Sequence, residues 1–186
     1  MKSILPAVVI ATSGLLGLAS FGAQAADGTI TFTGSLSNTT CSINGIAAGT
    51  LATSTATLPE VSAASLGTVG STAGRSAPIT LALTGCTGSA TKAVAFFENG
   101  STVDQTNGYL ANQATASPAT NVDVRLLNAS YLPINIITGL NNDIAANGAT
   151  ITANAATLKY YGEYFATGKA TAGAVSTSVQ YTMQYQ

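Results

Sequence analysis

The chain has 186 residues, six Lys and Arg against seven Asp and Glu, and no His. Charged residues make up 7% of it, far below the roughly 25% usual for a globular domain. A charge so sparse and balanced, with no basic cluster, argues against nucleic-acid binding, and the missing imidazole removes the commonest general base and metal ligand.

Residues 1–25 read as an export leader. Lys2 supplies a positive start, Ile4 to Phe21 is mostly apolar, and Ala23-Gln24-Ala25 places small residues where a signal peptidase looks. Pro6, three glycines and the lack of a basic flank afterwards argue against a membrane anchor. The remainder is long enough for one ordinary domain. Its two cysteines, Cys41 and Cys86, have an oxidising destination and no C-x-x-C spacing, so the simplest expectation is one disulfide. Closing a loop of that length is worth about 4 kcal/mol in the loop-entropy treatment.

After the leader, apolar and polar residues alternate with the period of a strand. Ile30, Phe32 and Leu36 alternate with threonines and Ser35, and Gly34 falls on their face. Residues 47–74 are rich in Ala, Ser, Thr and Gly and read as a loop-and-edge segment, since the disulfide spans them. Ile79, Leu81 and Leu83 form the next apolar face, and Val94 with Phe96 a short one. Val122, Val124 and Leu126 alternate with Asp123, Arg125 and Leu127. Leu158, Tyr160, Gly162 and Tyr164 oppose Lys159, Tyr161, Glu163 and Phe165. Val179, Tyr181, Met183 and Tyr185 then run to the last residue, Gln186. Asn-Gly and Asn-rich turns separate several of these runs, which predicts an all-β, antiparallel two-sheet sandwich.

Catalytic chemistry is hard to assemble from this inventory. The carboxylates are scattered singly, mostly in turns or on the polar faces of strands, and no Ser or Thr has a base partner at a telling spacing. The glycine-rich stretch at residues 67–74 lacks the Lys of a phosphate loop. The expectation is a protein that is not an enzyme and carries no cofactor or metal.

The two ends carry more information. Gly28-Thr29-Ile30-Thr31-Phe32-Thr33-Gly34 precedes the first cysteine, and Ile79-x-Leu81-x-Leu83-x-x-Cys86 leads to the second. Ala119-Thr120-Asn121-Val122-x-Val124, then Tyr164-Phe165-Ala166-Thr167-Gly168 with Gly173, lead to a final Val179-Gln180-Tyr181-Thr182-Met183-Gln184-Tyr185-Gln186. In this order the pieces resemble the major pilins of the chaperone–usher pathway, the type 1 fimbrial subunits, over the whole chain after the leader. The resemblance implies an incomplete immunoglobulin-like sandwich that lacks its final strand. A periplasmic chaperone would lend that strand first. At an outer-membrane usher, the N-terminal segment of the next copy would replace it. Residues 26–37 would be that donor segment and 38–186 the pilin domain. Ile30, Phe32 and Leu36 would fill pockets, with Gly34 at the groove's narrow point. Gly173, Val179, Tyr181, Met183 and Tyr185 would belong to the acceptor groove and its chaperone pairing. The chaperone's basic residues would hold the carboxylate of Gln186. The product would be a cell-surface filament of many copies that supports adhesion. A minor adaptor or tip subunit acting as a binding module is the competing reading.

Overall fold

A computed structural model describes residues 30–186. The expected leader, residues 1–25, and donor residues 26–29 lie outside the described residues. The chain divides into two units, residues 1–35 and 36–186. Of the first, the described residues 30–35 form no strand, and Ile30 and Phe32 are 82% and 89% exposed. The alternation that could have made this segment an ordinary first strand is therefore not used as one. In the second unit Leu36 is fully exposed, and the first strand begins only after Cys41.

The second unit contains ten strands among the described residues. They are β1 (Ser42–Ile43), β2 (Thr72–Ala73), β3 (Ile79–Thr84), β4 (Lys92–Phe97), β5 (Leu110–Ala111), β6 (Val122–Leu127), β7 (Pro133–Ile134), β8 (Ala149–Thr150), β9 (Ala156–Ala166) and β10 (Tyr181–Tyr185). Besides a 3-10 turn at Ala63–Leu66, a single α-helical turn, α1 (Ile144–Asn147), occurs among the described residues and is capped by Asp143, whose carboxylate accepts from the Ala146 amide at 2.8 Å. All pairings between these strands are antiparallel. The larger sheet runs β1-β3-β9-β6-β5, with β2 also on β9 and β7 on β6; the smaller runs β10-β4-β8. The sandwich expected from the alternation is thus present.

Cys41 and Cys86 are bonded, with Cα atoms 4.1 Å apart. The bond fastens the chain just before β1 to the chain just after β3, two strands that pair at Ser42 with Thr84 and Ile43 with Leu83. Leu81, Leu83, Val124, Leu126, Leu158 and Tyr160 face the core, as the period of two predicts.

Two expectations about outward faces need correction. Asp123, Glu163 and Leu127 are buried, not solvated. Asp123 accepts from Asn107 Nδ2 at 2.7 Å, Glu163 pairs with Arg125 at 3.0 Å, and Leu127, opposite Pro133 of β7, has no exposed surface. Val94 and Phe96 do not share an environment either. Val94 is fully buried, on a strand that α1 packs near, whereas Phe96 is 38% exposed. Alternation says which side a residue takes, and connecting segments decide whether that side is covered.

Candidate functional site

Between the two sheets lies an open groove of about 1330 Å³. Its floor comes from the larger sheet: Ile79 and Leu81 of β3, Tyr160, Gly162 and Tyr164 of β9, and Val124 and Leu126 of β6. One rim is β10 with the chain entering it. There Val175, Val179, Tyr181, Met183 and Tyr185 are all half-buried and all line the groove. The other rim is the irregular segment 47–58, with Cys41 and Ile43 beyond it. The structure therefore brings Val179, Tyr181, Met183 and Tyr185 into one row, although it leaves each of them partly open.

β10 pairs with β4 from Tyr181 opposite Phe97 to Tyr185 opposite Ala93. Among the described residues no strand pairs with its other edge. An open apolar edge of this kind is a template for a further strand. The groove also holds a polar loose end: Thr177 Oγ1 is buried with no hydrogen-bond partner among the described residues.

β4 holds β10 in place, and side chains secure the other edge of β4. β8 reaches only Lys92 and Ala93. Beyond them, the Ala95 amide donates to Tyr160 Oη at 3.1 Å, and Asn142 Nδ2 donates to the Ala95 carbonyl at 2.8 Å. Ala95 is completely buried, so both groups would otherwise go unsatisfied. Burial pushes the Tyr160 phenol up to about 12, with the Ala95 amide pulling the other way. Tyr164, Tyr181 and Tyr185 are raised as well, each chiefly by burial against the groove. The bracing roles of Tyr160 and Asn142 escaped sequence reasoning. The alternation places Tyr160 on the core face, but nothing local marks its hydroxyl as a partner for β4, and Asn142 reads as an ordinary turn residue.

The remaining predicted residues sit elsewhere. Gly173 is outside the groove lining. A Cβ there would lie 2.4 Å from the Ala119 nitrogen and 2.6 Å from the Ser117 oxygen, so a crossing of two main chains requires this glycine. The Gln186 carbonyl accepts from the Lys92 amide at 2.9 Å and from the Thr91 amide at 2.5 Å, continuing the β10–β4 ladder. At Gly34 none of the described residues comes within 4 Å of the position a Cβ would take.

No group of three or more His, Cys, Asp or Glu side chains placed to hold a metal ion occurs among the described residues. No helix among them is long and apolar enough to cross a membrane.

Comparison with known proteins decides the family. The family described as "FimA: Type-1 fimbrial protein, A" matches residues 58–186. The chain belongs to the type-1 fimbrial protein family. The major fimbrial subunit SMF-1 of Stenotrophomonas maltophilia is 42% identical over 174 residues, covering 92% of this chain and 99% of that protein. The F17 fimbrial protein of Escherichia coli is 42% identical over 95 residues, about half of each chain (50% and 51%). A crystal structure of a Burkholderia pseudomallei antigen and type I fimbria protein superposes with a TM-score of 0.52 at 20% identity, over 79% of this chain and 95% of that one, which speaks to fold alone. The protein is a structural subunit of a cell-surface fimbria, and its resemblance to a major subunit over nearly its whole length favours the shaft over a tip or adaptor position. Copies of it associate into a filament.

Proposed function

We infer that this fimbrial subunit polymerises by accepting a strand from the next copy into the groove between its sheets, and that it has no catalytic role. The observation that carries this reading is the row Val179, Tyr181, Met183 and Tyr185, half-buried over an open apolar groove and belonging to a strand with one edge unpaired among the described residues. Strand addition meets both needs, because main-chain bonds satisfy the edge and alternate side chains fill the groove. The donor is the segment with Ile30, Phe32 and Leu36, which are 82%, 89% and 103% exposed and so have nearly all their surface left to bury. Burying three such side chains contributes roughly 5–9 kcal/mol before ordering costs. Joining one copy's donor segment to the groove of another pairs two unlike surfaces and gives a head-to-tail chain that need not close. Residues 1–25 act as a cleaved leader and residues 26–37 as the donor. Before assembly a periplasmic chaperone fills the groove, and an outer-membrane usher exchanges the two strands.

Gly34 gives the test. Within a neighbour's groove an arginine there would be both overpacked and a buried charge, whereas none of the described residues of its own chain lies within 4 Å of that position. Gly34→Arg should leave chaperone-bound subunit at normal levels in the periplasm and abolish filaments seen by electron microscopy. Filaments of normal length from this variant would refute donation through this segment.

A further inference from the structure

The rim formed by residues 47–58 is held in an unusual way. Among the described residues, the main chain of residues 51–58 makes a single hydrogen bond, and a side chain from the opposite rim supplies it. Tyr181 Oη, 129 positions away in sequence, donates to the Ala52 carbonyl at 2.8 Å. The segment dips at that point: Ala52 is 7% exposed while its neighbour Leu51 is 86% exposed. The tyrosine thus bridges the groove from β10 to the far rim.

We propose that Tyr181 is a positioning residue for strand docking, a latch whose hydroxyl ties the segment 47–58 down over the unfilled groove and releases it when a strand enters. The proposal rests on the reading above that the groove receives a donated strand. A strand lying along the free edge of β10 must pass between the two rims. It therefore cannot seat while the Tyr181 hydroxyl spans them. Once the latch opens, the unpaired main chain of residues 51–58 becomes a second edge for the incoming strand, so the groove offers hydrogen bonds on both sides. The latch therefore stabilises the unfilled state and is absent from the filled one. It slows docking without changing how long a docked strand stays.

Tyr181→Phe keeps the ring and removes the donor. The probe is a fluorescent peptide with the sequence of residues 26–37, added to purified, monomeric, full exported chain. Its association rate should rise roughly three- to tenfold in Tyr181→Phe, as expected for loss of one ordinary hydrogen bond from the closed form, with an unchanged dissociation rate. Thermolysin cleavage beside Leu51 should accelerate by a similar factor in the absence of peptide, while circular dichroism confirms that the variant is folded. Equal association and cleavage rates in the two proteins would overturn the latch alone. Failure of the peptide to bind either protein would overturn the donated-strand reading, and the latch with it. A loss of fold in Tyr181→Phe would also overturn it, since a latch is dispensable to the sandwich.

Discussion

Tyr160→Phe removes one oxygen atom and tests how the groove is braced. In the folded protein that oxygen accepts the amide of Ala95, a residue with no exposure at all. Phenylalanine keeps the edge-to-face packing with Phe97, whose ring centroid is 5.0 Å away. The substitution therefore isolates the hydrogen bond. Leaving a buried amide unpaired costs about 1–3 kcal/mol, and the variant should be less stable than wild type by that amount at neutral pH. A second signature appears in alkali. The Tyr160 phenol is pushed up to about 12 from 10.0. Above pH 10 the unfolded chain gives up this proton before the folded one does, so the unfolded state binds fewer protons and stability falls as pH rises. The contribution is fully present below pH 10 and is lost as pH climbs through about 12. By pH 11 about 1.4 kcal/mol of it has gone. Phenylalanine has no proton to lose, and the other tyrosines cancel in the difference. Urea unfolding of both proteins at pH 7, 9, 10 and 11 should show a gap that is constant up to about pH 9 and then narrows. A gap that stays constant to pH 11 would refute the burial of this phenol, and no gap at pH 7 would refute its pairing with Ala95.

Asp123 is raised above the ordinary carboxylate range, first by burial and further by nearby Asp104, against the opposing bond from Asn107. A carboxyl raised on folding stabilises only while protonated, and that contribution is lost as pH rises through its folded value. Asp123→Asn should therefore be more stable than wild type at pH 7, with the advantage disappearing below the usual carboxylate range; a urea midpoint unchanged at pH 7 would contradict this. Reducing the Cys41–Cys86 bond frees a loop with a sequence separation of 45 and should remove about 4 kcal/mol of stability. Urea midpoints with and without dithiothreitol measure the loss, and a change below about 1 kcal/mol would mean that the β1–β3 pairing holds without the staple.

Much of the groove was legible because strand periodicity is local. Val179, Tyr181, Met183 and Tyr185 fall on one face for any strand through them, since successive side chains point to opposite sides. The cysteines were legible for a similar reason: two thiols on an exported chain have few alternatives. Gly173 stands between the two cases. Its presence near the chain end was readable, but its crossing with residues 117–119 was not, because that contact joins segments that share no local pattern.

The sequence by itself determined the all-β class of fold and the poverty of catalytic groups, which follow from composition and from intervals of two residues, while the strand that would border a groove came from the resemblance to the pilins. Only the tertiary structure decided what that strand faces. It set β10 beside β4, left the other edge of β10 open among the described residues, and brought Ala52 within hydrogen-bonding reach of Tyr181. It also buried Asp123 and Glu163 on faces that alternation had assigned to solvent. The physical reason is one of range. Alternation is set by the geometry of neighbouring peptide units, whereas a groove, a latch or a covered carboxylate exists only where segments far apart in the chain pack together.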